Sequence, residues 1–546
     1  MQAFADFADN LFGGAILVAL SLCLGSVAWG LVVLRPWQRE NGDPLLARCT
    51  AILTASAAAL ALLQGTSLAL KALVIEGSIE AALRSDLASI SAFRAGAARV
   101  LAAALLALAS WRLTGRPRSG AWWSAVSLGA ALTAVSGAWL VHGAGRLEYR
   151  GLLMASTVAH QVGGAVWVGA LLQLAAAWQV ARRQPAARAL WPTLLARFSR
   201  LAVAGVALML LASVPLVWAY VGSFAGLIGT GYGSLLTTKV LLFAGALGLA
   251  AVSRAAVRRW RVTRDETAAV TTAPFFVGAE ALLAVGLLFL AATLASQPPA
   301  VDIVAERATW PEVMRVFAPK WPQLNTPSVA AMRRDTSDPL AVVGGERTVA
   351  AYSWSNFSHN VAGLVLLAVS LVALLGDRLG AGLSRHAWPL GFVVLGVFVF
   401  LRTSANSGVW PFGPGNLWTS TFGDAEVLQH RLGALIVVTL GLVEWWGRTH
   451  PGSRLALVLP ALAASGGVLL LTHAHAAFEP KSYYLIQITH TAMGALAVLM
   501  AGARWLELRL APPSSRWAGL AAYAAMLLIA LVLVFYQEAN VEVPPI

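Results

Sequence analysis

Charge is scarce in this chain: of 546 residues only 12% are Asp, Glu, Lys or Arg, about half the share of an ordinary soluble domain. So few charged side chains cannot coat a water-facing surface of this size, whereas a surface against lipid needs no such coat. Cysteine is scarcer still. Cys23 and Cys49 are the only ones, which excludes a disulfide framework, a CxxC metal site and iron–sulfur ligation. The opening MQAFADFADNLF lacks a basic stretch ahead of its apolar run, so no cleaved signal peptide is expected. There is no Walker A loop, calcium loop or HExxH, which leaves ATP-driven pumping and zinc hydrolysis without support.

What is present is apolar surface. Hydrophobic residues make up 58% of the chain, which excludes intrinsic disorder. The net charge of +14 raises the question of nucleic acid. No basic-aromatic groove module is visible, and Arg and Lys collect instead in short loops between apolar runs, the pattern of the positive-inside rule. Stretches of about 18 or more apolar residues begin near residues 12, 45, 90, 121, 152, 199, 234 and 274, and again near 357, 387, 427, 455, 483 and 517. The expected fold is therefore all-α and polytopic, with about fourteen transmembrane helices in two blocks, eight in 1–297 and six in 357–546. Between them, residues 298–356 read as a connecting loop or small cap on the outer side, with no convincing helical or strand period.

Placing the N-terminus outside puts most positive residues in inner loops, among them the clusters Arg182 to Arg200 and Arg254 to Arg264. Both termini are then expected in the periplasm of a bacterial inner-membrane protein. That topology sorts the histidines. Only His386 and His450 fall in inner loops; His142, His160, His359, His430, His473, His475 and His490 all fall in the outer half. Ionisable residues inside a membrane are costly and usually functional, so the set points to a polar or metal-handling outer vestibule. At about 1.5 Å per residue, His160 and His490 lie roughly 10 to 12 Å below the outer face, while His142, His473 and His475 lie at the outer ends of the preceding helices.

The two blocks echo each other. Ser136-Gly137, His142, His160 and Gly164 recur as Ser465-Gly466, His473, His490 and Gly494 at a near-constant offset of about 330 residues. His359 with Gly363 repeats the ending, and His430 with Gly433 nearly does. A glycine one turn below a histidine lets another helix approach closely, which brings ligands from two helices within reach. Imidazole plus thioether suits copper, Cu(I) above all. Met493 shares a helical face with His490, and acidic ligands are few in the outer half. Within the spans, Lys71 can snorkel outward, Arg99 and Lys239 are further cations, and Glu280 is a buried carboxylate without an obvious mate. Glu280 is a candidate proton-coupling or inner-gate residue.

The run HQVGGAVWVGALLQL, followed by RFSRLAVAGVALMLLASVPLVWAYVGSFAGLIGTGYGSLLTTKV and ending in GAEALLAVGLLFLAATLASQPPA, resembles the copper resistance D (CopD) family of bacterial inner-membrane proteins. The pattern covers about 130 to 300 and joins His160, Trp167, Gly169, Arg197, Tyr232, Gly233, Lys239 and Glu280 in family order. Ser253-Arg254 departs from it, since relatives tend to carry Asn-Arg. The C-terminal block, with WPFGP, EVLQHRLGALIVV and THAHAAFEP, looks like the extension of longer members. The resemblance implies movement of copper from periplasm to cytoplasm, with a CopC-type periplasmic protein as donor; no such domain is fused here. It implies Trp167, Lys239 and Glu280 as pathway or structural polar residues.

Two other classes compete. LQHRLGALIVV is similar to helix segments of haem A synthases, and His160, His359, His430 and His490 could be axial ligands of haem b in a membrane oxidoreductase. An assembly protein with a stable partner is the third. The expectation carried forward is a non-enzymatic copper conductor, with membrane lipid as its surroundings and no nucleic acid. His142, His473 and His475 capture the ion, His160 and His490 with Met493 hold it, and His359 and His430 complete the site.

Overall fold

The computed structural model describes residues 2–35, 44–78, 90–332, 349–380, 382–403, 410–413, 415–473 and 480–538. Every regular element among them is helical. The chain divides into two compact units, Met1–Gly222 with Phe243–Ser296, and Ser223–Leu242 with Gln297–Ile546.

The first unit is built from α1 (Gln2–Ala28), α2 (Pro44–Ser78), α3 (Ser91–Gly115), α4 (Gly120–Ser136), α5 (Arg150–Ala181), α6 (Trp191–Tyr220), most of α7 (Gly231–Thr263) and α8 (Ala273–Ser296). α5 is its hub, packed on α1, α6 and α8. Glycine makes two of these contacts possible. A Cβ on Gly169 would stand 1.8 Å from the Ser21 carbonyl oxygen of α1, and one on Gly163 would stand 2.5 Å from the Gly205 oxygen of α6. Only bare backbones fit at those crossings.

Among the described residues, thirteen helices are long and apolar enough to cross a membrane, against about fourteen expected. The one that differs is α4, which has 17 residues and so rises only about 26 Å against roughly 30 Å of hydrocarbon. Its apolar run continues in sequence, but the backbone turns into the 3-10 segments Gly137–Trp139 and His142–Gly145.

The second unit holds α9 (Trp310–Phe317), α10 (Val349–Leu379), α11 (Trp388–Arg402), α12 (Ala425–Thr449), α13 (Leu459–Leu471), α14 (Pro480–Glu507) and α15 (Ser514–Val534). The last six close into a ring: each packs on the next in sequence, and α15 packs back on α10. Consecutive helices packed side by side alternate in direction. The N-terminal ends of α10, α12 and α14 therefore share one end of the ring with the C-terminal ends of α11, α13 and α15.

The opposite end is tied by a buried ionic network. Glu444 on α12 takes Arg448 at 2.6 Å and Arg504 of α14 at 2.6 Å, and Arg504 also holds Glu507 at 2.5 Å. Arg448 donates to the Tyr523 hydroxyl of α15 at 3.0 Å and lies over the Trp388 ring of α11 at 4.5 Å. Four of the six helices are thereby joined.

Residues 298–317 are folded. Thr309 and Glu312 form a reciprocal capping box at the start of α9, a TxxE signal that is present in the sequence. Val313 and Val316, three apart on one face, pack against Tyr484 and Leu485 of α14. Glu312 also pairs with Lys481 at 2.5 Å.

Two outcomes follow from these contacts. Glu444→Ala leaves two partly buried arginines without their common buried partner, and thermal unfolding in detergent should show a loss of about 3 kcal/mol; a loss below about 1 kcal/mol contradicts the network's role. Lys481, then the Thr309 amide, hold the Glu312 carboxyl down to about 2, below its unfolded value of about 4.3. Its stabilisation is thus complete above about pH 4.3 and is lost as pH falls towards about 2. The thermal midpoint between pH 6 and pH 2.5 should fall more steeply in the wild type than in Glu312→Gln, and equal slopes would contradict it.

Candidate metal centre

Four of the six ring helices present histidines at the same end: His359 from α10, His430 from α12, His490 from α14, and His473 just past α13. One ligand nitrogen from each of His359, His430 and His490 lies within 4.8 Å of the other two. A single ion with ligand bonds of about 2 Å needs nitrogens roughly 3 to 4 Å apart, so small rotamer shifts close the site.

The backbone decides how these rings face. Nδ1 of His359 lies 2.9 Å from the Ser355 carbonyl, Nδ1 of His430 lies 2.8 Å from that of Glu426, and Nδ1 of His490 lies 3.1 Å from that of Ile486. Each partner is the carbonyl four residues earlier. A carbonyl oxygen only accepts, so Nδ1 carries the proton and Nε2 is left as the lone-pair nitrogen. This is the tautomer that a metal ligand needs, fixed by the kind of outer contact that orients such ligands.

His473 extends the cluster. Its ring stacks on His490 at 5.1 Å and meets His430 edge-on at 4.9 Å. On the other side, Tyr536 stacks on His359 at 4.0 Å. The segment after α15 is pinned there, because Asn360 donates to the Val534 and Tyr536 carbonyls at 3.1 and 2.8 Å. Glu538, buried beside it, accepts from the Ser355 and Tyr536 hydroxyls and takes up the Asn356 side chain through its own amide at 3.0 Å.

A cavity of about 270 Å³ runs from the histidines down the inside of the ring. Its upper wall carries Glu426, Gln429 and Arg402; below, it is lined by Leu, Phe, Val and Met side chains, Met493 among them. Met493 is buried in the apolar core of this unit. Of the glycines one turn below a histidine, Gly363 and Gly494 do meet a neighbouring backbone, with Cβ positions 2.4 Å from Val534 N and 2.9 Å from Gly467 O. Gly433 instead borders the cavity, where a Cβ would touch only Leu469 at 3.4 Å.

The other expected residues lie elsewhere. His142 and His160 belong to the first unit and are not members of the cluster. His160 bridges α5 to α6, its Nδ1 3.1 Å from the Met209 carbonyl and 3.0 Å from the Ser213 hydroxyl. Beside it, Gly163 rather than Gly164 makes the close contact, since Gly164 meets only the Met209 sulfur at 3.4 Å. His142 sits edge-on to Tyr220 at 6.2 Å. His475 lies outside the described residues.

Glu280 has a mate that the sequence does not announce: Trp167 Nε1 donates to its Oε1 at 3.1 Å, both side chains buried in the first unit. Arg99, also buried, donates to the Thr133 carbonyl at 3.2 Å and to Gln64 at 3.5 Å. Lys71 pairs with Asp9 at 3.0 Å, and Lys239 on α7 is half-buried. His386 receives the Trp445 indole N–H at 2.9 Å, and His450 stacks on Trp446.

The residues not expected at the site are Ser355, Asn360, Tyr536 and Glu538. The signal for the last two is weak: polar side chains immediately after the final apolar run, on the side where the histidines gather.

Residues 192–294 match the family model of Copper resistance protein D, a part of the segment that resembles that family. The match covers less than half of the chain, includes Lys239 and Glu280, and ends before the first histidine of the cluster. No curated protein and no solved structure matches the chain.

Proposed function

We propose that this chain is a copper-handling inner-membrane protein in which Nε2 of His359, His430 and His490 hold a copper ion as cargo. The observation that carries this reading is the meeting of one nitrogen from each of three imidazoles, each with its Nδ1 against a carbonyl of its own helix. Imidazole donors within reach of a thioether suit copper better than a hard cation, and the family match over 192–294 supports the same cargo. Met493 lines the same cavity as the triad and is the thioether offered to the ion in this reading.

The histidine end of the ring faces the periplasm in this reading. Arg378, Arg385, Arg448, Arg454 and Arg504 lie towards its other end, as the positive-inside rule asks of a cytoplasmic face. Copper is then taken up from the outer side, with a CopC-type periplasmic protein as the donor the family resemblance implies, and passes inward without chemical conversion. His473 and His475 receive the ion before the deeper triad. In the first unit, His142 and His160 are further polar residues, and the buried Trp167–Glu280 pair serves a coupled proton in this reading.

Haem is the second reading. His359, His430 and His490, gathered at one end of the cavity, are the residues that would hold it.

Elemental analysis of the purified full chain from cells given copper and iron should find about one copper per chain. The His430→Ala/His490→Ala variant should lose at least about nine-tenths of it, while His386→Ala and His450→Ala keep it. Iron near stoichiometry in place of copper, or copper undiminished in the double variant, would overturn the assignment.

A further inference from the structure

The metal site occupies one end of a much longer cavity. A copper ion and its ligands need none of the apolar slot below them, and an apolar cavity does not fill stably with water. At about 270 Å³ the space approaches the roughly 300 Å³ at which small-molecule pockets begin. Met493, Met500 and Met526 on its wall are adaptable side chains that let a cavity widen around a flexible guest.

The two ends differ in chemistry, and the difference specifies the guest. Nε2 of His359 and His430, with Nδ1 engaged, accept hydrogen bonds and do not donate them. A hydroxyl satisfies these two nitrogens and a carbonyl oxygen does not, although Gln429 and Arg402 on the same upper wall can donate to a carbonyl. The remaining wall, with Leu366, Phe392, Leu395 and Ile529, takes a hydrocarbon tail.

We propose that this cavity binds a membrane quinol, one hydroxyl of its ring donating to Nε2 of His359 or His430 and its isoprenoid tail lying along the inside of the six-helix ring. The proposal needs the tautomers of the triad and not the copper reading itself. A quinol held there takes a nitrogen lone pair assigned to the metal, so quinol and copper exclude one another at the triad.

The walls offer two positions for a test. A Cβ at Gly433 of α12 meets only Leu469 at 3.4 Å, and one at Gly466 of α13 meets only Ile436 at 3.6 Å. Both glycines line the cavity, so leucine at either position fills it from a different helix without forcing backbones apart. Equilibrium binding of decylubiquinol to the metal-stripped full chain in lipid nanodiscs should saturate near one per chain, about tenfold more tightly than decylubiquinone. Gly433→Leu and Gly466→Leu should each weaken it at least about tenfold while keeping the wild-type copper content. Equal affinity for quinol and quinone, binding unchanged in both leucine variants, or full displacement by a decyl chain without the ring would overturn the proposal. Retained quinol binding in a protein that takes up no copper would leave it standing and remove only the copper reading.

Discussion

The hydrogen bond from a histidine Nδ1–H to the carbonyl one helical turn before it organises this site. It is a local contact, available to a helical histidine whose ring folds back along its own turn, and at His359, His430 and His490 it appears on three different helices. Each bond fixes a tautomer and points the opposite nitrogen away from its helix. In water that choice has little weight. Inside a membrane a buried imidazole must place both nitrogens, and satisfying one from its own backbone leaves the other for a ligand.

The ring of six helices turns three local choices into one site. Alternating helix direction brings the histidine-bearing ends of α10, α12 and α14 together, and close contacts at Gly363 and Gly494 draw α15 and α13 in beside them. At Gly433 the contact is absent and the wall stands back, which leaves the cavity. The Glu444–Arg448–Arg504 network fastens the other end. With that end tied, loosening at the histidine end need not unfold the ring. Stability and the site thus sit at opposite ends of the same helices, as expected where a functional cluster is assembled at some energetic cost.

Much of the fold was legible because hydropathy reports directly on bilayer spans. The helical class and nearly every span could be read from runs of apolar residues. α4 was misjudged in length because an apolar sequence does not by itself reveal where a helix gives way to 3-10 turns. The ring histidines were legible as candidate ligands, but which of them meet was not. The pairing of His160 with His490 followed from a repeat in sequence, whereas the structure gathers His359, His430 and His490, on helices whose proximity depends on ring closure. Trp167 and Glu280 illustrate the same limit: a hydrogen bond between residues 113 apart leaves no local pattern. Tyr536 and Glu538 reach the site only because Asn360 pins the end of the last helix.

The central claim is that three imidazole nitrogens from three helices meet on one copper ion. X-ray absorption at the copper edge, on the copper-loaded full chain and on His430→Ala, tests it most directly. The account predicts three nitrogen scatterers with the outer-shell pattern of imidazole in the wild type, and one imidazole fewer in the variant. A first shell of sulfur and oxygen, or an imidazole count unchanged by the loss of His430, would contradict it.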